Sequence, residues 1–351
     1  MRAVRLTGPR TLAFSEEPRP LPRQGERLVR VTAVGICGSD LHWFEESGIG
    51  DARLDRPLVL GHEFAGIVEA NGNSARLEDD ARAGRASRSV DLVAVDPAVV
   101  CGRCAFCREG NPNFCENIRF AGHGVQDGGL QEYLAWPEEC LFPVPSDLTP
   151  EDAAMLEPLG VAIHAVDLGK VGPGMTVSVL GCGSIGLLVA QVARAAGAAR
   201  LFGTEILPHR LEAAEALGIE PVAASDGAEA AVIHRRTGGR GVDVVFECAG
   251  DDRAVGVAME VARPGARVVL AGIPSDDRTT FSASLARRKG LTIKLVRRMK
   301  HTYPRAIALV TAGMVDVRSL VTHRFPLSEA PEAFAVAARR EGVKVVVISE
   351  S

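Results

Sequence analysis

Thr176-Val-Ser-Val-Leu-Gly181-Cys-Gly183-Ser-Ile-Gly186, followed by an apolar-periodic run to Ala196 and then by Arg200-Leu-Phe-Gly-Thr-Glu205, decides the fold of this chain. The stretch reads as a short strand, a Gly-x-Gly-x-x-Gly turn, a helix and a second strand ending in an acid. Gly181 permits the tight turn, Gly183 lets a pyrophosphate approach the backbone, and Gly186 lets the helix pack closely on the strand. With Ser184 and Ile185 these residues open a helix whose first turn offers unpaired N–H groups and a positive dipole end to phosphates. Glu205 lies 24 residues beyond Gly181, where a carboxylate accepts hydrogen bonds from an adenosine ribose. A glycine motif alone is weak, since many such turns are only turns. Strand, helix and acid together predict a dinucleotide site.

The alternation continues outward from this unit. Strands are expected over 177–180, 200–204, 242–247 and 267–271, and helices over 185–196, 208–217, 228–237 and 253–262. Such alternation predicts an α/β fold with a parallel, doubly wound sheet. Residues 1 to about 36 read as β, with Ser39-Asp40 capping a short helical turn, and further strands are expected near 64–69, 91–95, 129–136 and 141–144. The polar segment 71–90 reads as an exposed loop. Thr149-Pro150-Glu151-Asp152 is a helix start with a capping box, and that helix should run through Glu157 and His164 toward Gly169. Two amphipathic helices, over 303–312 and 328–340, and a strand over 344–349 close the chain.

At 351 residues the length favours two domains. Forty basic residues against 44 acidic ones make no polycation, so neither nucleic acid nor a membrane surface is an expected partner. The start, Met1-Arg-Ala-Val-Arg-Leu-Thr-Gly-Pro, lacks the apolar core of a signal peptide. The longest apolar run, over 177–193, is interrupted by glycines, Ser178, Ser184 and Gln191, which argues against a membrane span. Of the eight cysteines, most lie near metal-ligand patterns, so thiolates in a reducing cytoplasm fit better than a disulfide scaffold.

Cys101-x2-Cys104-x2-Cys107-x7-Cys115 is the sharpest chemical signal. Four thiolates on one loop close a tetrahedral zinc site with no position left for substrate, a structural staple. An iron–sulfur cluster is the alternative, but the fourth cysteine is too distant and lacks its following proline. A second set is dispersed: Cys37 in Gly35-Ile-Cys-Gly-Ser-Asp, His62-Glu63 in Gly61-His-Glu, and Glu157 in Glu157-Pro-Leu. Each has a bland reading as a buried thiol or a hydrogen-bonded side chain. Together they offer a thiolate, an imidazole and two carboxylates, which suits a catalytic zinc with an open position. Spacing alone does not bring them together.

On these residues the chain resembles the zinc-dependent medium-chain dehydrogenases, closest to their sorbitol (polyol) dehydrogenase branch. The resemblance runs nearly end to end. It takes in Gly35-Ile-Cys37-Gly-Ser39-Asp-Leu-His42, Gly61-His62-Glu63-Phe-Ala-Gly66, the four-cysteine lobe, Glu157-Pro-Leu-Gly-Val-Ala-Ile-His164, the Gly181–Gly186 turn and Leu320-Val-Thr-His323-Arg-Phe-Pro326. It implies a GroES-like, β-rich catalytic domain built from residues 1–150 and 294–351, a Rossmann nucleotide domain over 151–293, a cleft between them, and a homotetramer with a homodimer as the alternative. It makes Cys37, His62 and Glu63 zinc ligands, and Glu157 a carboxylate that approaches the zinc directly or through water. Ser39 matches the hydroxyl of a proton relay, with His42 and the nicotinamide ribose as its outward steps. Arg298 matches a residue that reaches substrate, while Trp43 and Met299 stand where sorbitol enzymes carry substrate-contacting tyrosines. All four lobe cysteines are kept, unlike in animal sorbitol dehydrogenases.

The implied activity is reversible oxidation of a secondary alcohol, polyol or sugar-like, to a ketone with NAD, using two zinc ions per chain. Glu205 would repel the 2′-phosphate of NADP, while Arg210 nearby would either accommodate that phosphate or stack near the adenine. An amino-alcohol such as threonine, an aminocyclitol or a simple secondary alcohol is the alternative substrate. A nucleotide-binding protein without chemistry is the alternative class, disfavoured by the intact Cys37, His62 and Glu63. The two metals should separate by mutation. Cys37→Ala should abolish turnover and lose about one zinc with little change in melting temperature, whereas Cys104→Ser should lower melting temperature because structural zinc contributes folding free energy. Metal analysis and thermal melts check this: early melting of both variants, with normal activity below the transition, contradicts the assignment.

Overall fold

The computed structural model describes residues 1–69, 92–224 and 227–349; the loop expected over 71–90 lies outside them. Thr176–Leu180 lies inside the parallel sheet, paired on both edges. Its run is apolar apart from Thr176 and Ser178 and buried after Thr176, as suits a strand covered on both faces. Six parallel strands lie in the order Glu220–Ala223, Arg200–Glu205, Thr176–Leu180, Val242–Glu247, Ala262–Leu270 and Thr292–Leu295. Strand order reverses beside Thr176–Leu180, and ligands bind at the carboxyl ends of strands at such a switch point. The Gly181–Gly186 turn opens there.

The helices Ser184–Ala195, Pro208–Ala216, Glu229–Arg236 and Asp252–Val261 lie within a residue of expectation at each end. Periodicity misses the strand Glu220–Ala223, the helix Ala283–Lys289 and the edge strand Thr292–Leu295. Each is short, and the edge strand is half-exposed or exposed throughout, so none carries a clear apolar face.

The second large sheet draws on both ends of the chain. Glu26–Gly35 and Glu63–Val68 pair antiparallel, with Gly35 opposite Glu63. Leu92–Val95 and Leu141–Pro143 continue the sheet on one side. Lys344–Ile348 and Val321–Pro326 continue it on the other, and Tyr133–Pro137 pairs with the first half of Glu26–Gly35. The C-terminal strands therefore complete a sheet begun by the first third of the chain.

The helix expected from Thr149 is two. The capping box forms, with Thr149 Oγ1 accepting from Asp152 N–H (3.2 Å) and Asp152 accepting from Thr149 N–H (2.9 Å). That helix, Pro150–Ala154, ends at Met155, and Leu156–Gly169 follows. The second helix is apolar nearly all round, because it is a shared spine. One continuous core takes Ala33, Ala65 and Ala94 from the mixed sheet, Leu156, Leu159 and Ile163 from this helix, and Val177, Val179 and Phe246 from the parallel sheet. The expected cap at Ser39-Asp40 is also corrected. The helix is Gly38–Glu46, Cys37 is its N-cap, and Asp40 reaches back to accept from Cys37 N–H (3.0 Å). Among the described residues no helix is long and apolar enough to cross a membrane.

Tyr303, which opens the helix Tyr303–Thr311, ties that helix to the mixed sheet. Its hydroxyl donates to Val95 O (2.7 Å), and its ring stacks on Phe142 at 4.5 Å. Tyr303→Phe keeps the stack and loses the bond, at a cost of about 0.5–1.5 kcal/mol. A thermal melt should show the midpoint lowered by roughly 2–4 °C.

Candidate active site and metal centres

Sheet register brings the dispersed set together. Glu26–Gly35 runs into Cys37, and Glu63–Val68 begins directly after His62, so two antiparallel neighbours present these residues at the same end of the sheet. Cys37 Sγ, a ring nitrogen of His62 and a carboxylate oxygen of Glu63 lie within 4.8 Å of one another. His62 and Glu63 are buried and Cys37 is half-buried, so the cluster is shielded yet reachable from one side.

Asp40 orients the histidine. The Nδ1–H of His62 donates to Asp40 Oδ1 (3.3 Å), which leaves Nε2 with its lone pair for a metal. Asp40 is 1% exposed and also accepts from Cys37 N–H and Gly61 N–H (3.2 Å). Burial opposes charge on the imidazole, but Asp40 and Cys37 outweigh it and push the His62 pKa well above its ordinary value. A metal ion between the thiolate and the imidazole replaces the proton that these anions otherwise hold. Glu157, at the start of Leu156–Gly169, is buried; burial, with Glu63 adding to it, raises its pKa to about 7. One thiolate, one imidazole and carboxylate oxygen this close together form a donor set that fits zinc with a position left open.

Lys344 is the residue that the sequence reading misses here. Its ammonium forms a close ion pair with Glu63 Oε2, and the two side chains are 2% and 1% exposed. Neither atom has another hydrogen-bond partner among the described residues. A Cβ at Gly35 would run into Glu63 Oε2 and lie 2.9 Å from Lys344 Cε, so the glycine leaves the room this pair occupies. Burial works against the ammonium, yet Glu63 and Cys37 hold its pKa above the usual lysine range. The available signal was a lone cation inside the apolar strand Lys344–Ile348.

The four-cysteine lobe is local, and its geometry is regular. The Sγ atoms of Cys101, Cys104, Cys107 and Cys115 lie within 4.8 Å of one another, where a tetrahedron with zinc–sulfur bonds of about 2.3 Å has edges of roughly 3.8 Å. Cys104 N–H donates to Cys101 Sγ and Cys101 N–H to Cys115 Sγ, both at 3.3 Å. Backbone N–H groups from Arg103 and Cys104 lower the Cys101 pKa to about 6, toward the thiolate that a metal requires.

At the dinucleotide turn Gly181 has φ +96°, and a Cβ on Gly186 would collide with Gly181 O. Gly183 caps the helix Ser184–Ala195, with Ser184 and Ile185 in its first turn. Glu205 is 8% exposed and braces the turn: Oε2 accepts from Cys182 N–H (3.1 Å), and Oε1 accepts from Ile206 N–H (2.8 Å) and Leu207 N–H (3.2 Å). The Arg210 guanidinium lies 3.9 Å from Glu205 and donates twice to Gly342 O (3.2 and 3.0 Å), linking the nucleotide turn to the C-terminal segment.

Around the metal cluster, Ser39 Oγ is 3.4 Å from His62 Nε2. His42 Nδ1 lies 3.9 Å from Glu46. Trp43 is 2% exposed and its indole N–H donates to His123 Nδ1 (3.2 Å). Met299 is 4% exposed, its sulfur accepts from Thr302 Oγ1 (3.2 Å), and it sits where a Cβ on Gly160 would strike, so it packs on the spine helix. Arg298 adopts φ +53°, stands 4.1 Å over the Phe120 ring and pairs with Asp96 at 3.7 Å. Its Nε and Nη1 are buried without hydrogen-bond partners among the described residues. Phe120, His123 and Asp96 escaped the sequence reading because nothing local marks them. They come from a loop and a strand that only the fold brings to the metal cluster.

Comparison with known proteins gives the family. A family model described as zinc-binding dehydrogenase matches residues 184–312, and one described as alcohol dehydrogenase GroES-like domain matches residues 23–146. The chain is 35% identical to a sorbitol dehydrogenase of Bacillus subtilis (strain 168), covering 99% of this chain and 97% of that one. It is 34% identical to an L-idonate 5-dehydrogenase of Vitis vinifera over 96% of this chain and 91% of the relative. Its structure superposes on that of alcohol dehydrogenase TADH from Thermus sp. ATN1 with a TM-score of 0.86, 31% identity and full coverage of both chains. Fold and site thus define a zinc-dependent oxidoreductase acting on CH–OH donors. The chain belongs to the medium-chain zinc dehydrogenases, in the branch of the sorbitol and related polyol dehydrogenases.

Lys344→Met should expose what the buried pair does. Removing one partner of such a pair leaves an uncompensated charge, at a cost of about 3–5 kcal/mol. A metal held by Cys37, His62 and Glu63 would supply positive charge beside Glu63 and soften that loss. Melts with zinc present and after chelation should show the gap between variant and parent widening when metal is removed.

Proposed function

We propose that this protein reversibly oxidises a secondary alcohol, a polyol or a sugar- or cyclitol-like compound, to a ketone, with NAD preferred over NADP. The observation that carries this reading is the convergence of Cys37, His62 and Glu63, an open ligand set, with the spine helix joining it to the nucleotide turn. The names of the B. subtilis and V. vinifera relatives, for sorbitol and idonate, support polyhydroxylated substrates. We further propose two zinc ions per chain: one held by Cys37, His62 and Glu63 with Glu157 beside it, the other by Cys101, Cys104, Cys107 and Cys115. The proposed division is a catalytic domain over 1–150 and 294–351 and a nucleotide domain over 151–293. A cytoplasmic homotetramer completes the reading.

Cys37, His62 and Glu63 would hold a zinc ion, which would supply Lewis acidity toward the substrate hydroxyl, and a bound nicotinamide would supply the hydride acceptor. The chain's own residues do the rest. Asp40 holds His62 in one tautomer and one orientation. Ser39, 3.4 Å from His62 Nε2, is placed to take the hydroxyl proton and pass it outward toward His42. Gly181, Gly183 and the first turn of Ser184–Ala195 would receive the pyrophosphate of the cofactor. Glu205 is a buried carboxylate braced by three N–H groups, with lone pairs remaining for a ribose 2′-OH. It opposes a 2′-phosphate, and Arg210 is already engaged with Gly342 O.

A panel of polyols, cyclic alcohols, simple secondary alcohols and threonine, each with NAD and NADP, tests the reading by reduced-cofactor absorbance. The expected outcome is oxidation of secondary alcohols with a higher kcat/KM for NAD, and poor turnover of sorbitol relative to less hydroxylated or cyclic substrates. Trp43 and Met299 provide no free hydroxyl, and each lost hydrogen bond weakens binding by about 0.5–1.5 kcal/mol. Equal kcat/KM with the two cofactors, or a clear preference for sorbitol, contradicts it.

A further inference from the structure

His123 is half-buried beside the metal cluster and has no part in the mechanism above. Its partner determines its chemistry. An indole N–H only donates, and that of Trp43 lies 3.2 Å from His123 Nδ1, with the rings nearly perpendicular at 84°. Nδ1 must therefore carry the lone pair, and the ring proton sits on Nε2. A cationic imidazole has N–H on both nitrogens and cannot accept this bond, so Trp43 keeps the ring neutral. Burial acts in the same direction, helped by His62, Arg297 and Arg298, with Asp40 opposing, and lowers the His123 pKa. The result is a neutral donor, Nε2–H, with no partner among the described residues.

The loop that carries it is anchored. Gly122 N–H donates to Gln126 O (2.9 Å) and Gln126 N–H to His123 O (3.1 Å). Asp127, next in sequence, accepts from two nitrogens of Arg5 (3.0 Å each) and from Val59 N–H (3.1 Å). Phe120 then sets His123 among its neighbours. Its ring centroid lies 6.3 Å from that of His123 and 5.3 Å from that of His62, and Arg298 stands 4.1 Å over it. One ring thus separates a metal-ligand histidine, a neutral donor and a guanidinium. Arg298 is held at φ +53°, and its Nε and Nη1 have no hydrogen-bond partner among the described residues. Strained backbone and unsatisfied buried donors are features that a ligand explains.

We propose that His123, positioned by Trp43, is a substrate-binding residue, and that with Arg298 it selects a substrate whose far end is an anionic oxygen group, a carboxylate or a phosphate. This rests on the dehydrogenase reading of the site. Trp43 N–H is spent on His123, and Met299 is turned into the spine helix. Among the described residues, the unpartnered groups at this side of the cluster are three donors, Nε2–H of His123 and the buried Nε and Nη1 of Arg298, against one acceptor, Asn113 Oδ1. A hydroxyl must donate as well as accept, whereas carboxylate and phosphate oxygens only accept. Arg297 adds positive charge, which Asp96 and Glu157 partly offset.

The test uses the zinc-loaded enzyme with NAD and sets hexitols against hexonates and hexitol phosphates of the same configurations. At least one anionic series should exceed its hexitol in kcat/KM by about tenfold or more, as charge-assisted bonds imply, and the better series tells carboxylate from phosphate. His123→Leu should cut that preference about tenfold, mainly through KM, while His123→Gln, whose amide N–H can donate, retains part of it. Trp43→Phe should also lower the preference, and ¹⁵N spectra of the parent should show His123 with Nδ1 unprotonated at neutral pH. A hexitol used as well as its acid and phosphate, or a protonated Nδ1, overturns the inference and leaves the dehydrogenase reading standing. Failure to oxidise any alcohol overturns that reading instead, and calorimetric binding of hexonate, hexitol phosphate and hexitol then decides the anion preference: equal or stronger hexitol binding overturns it.

Discussion

The pairing of Gly35 with Glu63, across the antiparallel strands Glu26–Gly35 and Glu63–Val68, is the constraint on which the site depends. Side chains alternate along a strand, so a slip of one residue would turn Glu63 to the opposite face and separate it from Cys37. The same end of the sheet receives Lys344 from the last strand, since Val346 pairs with Gly35. Three segments far apart in the chain thus meet where one residue has no side chain. Gly35 is required there by the space the Glu63–Lys344 pair fills, not by its backbone angles.

Charge in this region is arranged in pairs, each with a separate task. Asp40 with His62 fixes a tautomer, Lys344 with Glu63 compensates a buried carboxylate, and Asp96 with Arg298 tethers a guanidinium whose Nε and Nη1 have no hydrogen-bond partner among the described residues. Buried ion pairs contribute little net stability, because desolvation offsets much of their attraction. Their value here is placement. Each holds a polar group at a defined point beside a metal position, in surroundings dry enough for electrostatic interactions to be strong.

The spine helix Leu156–Gly169 makes two sheets into one working unit. Its apolar surface is shared between the alanine-lined face of the mixed sheet and the valine-rich face of the parallel one. Glu157 at its start therefore sits beside the metal cluster, while its body packs on the helix Ser184–Ala195 that opens at the dinucleotide turn. Further polar links cross the same boundary. Gln191 donates to Asp316 O (3.0 Å) and accepts from Asp316 N–H (2.7 Å), and Arg210 reaches Gly342 O.

Features whose geometry is set within a few bonds were legible in the residues alone. The Gly181–Gly186 turn follows from what a Cβ would strike, and the lobe of Cys101, Cys104, Cys107 and Cys115 follows from ligand spacing on one loop. The alternating strands and helices follow from apolar periodicity, which also explains why Glu220–Ala223 and Thr292–Leu295, lacking a clear apolar face, went unread. Cys37, His62 and Glu63 were legible as residue types, but their convergence was decided by sheet register. Asp40 read as a helix cap and became the orienter of His62. Lys344, His123, Phe120 and Asp96 carried almost no local mark, because their roles arise from contacts between segments that sequence distance does not encode. Trp43 shows the division most plainly: the chain specifies an indole, and only the fold decides that its single N–H is spent on His123.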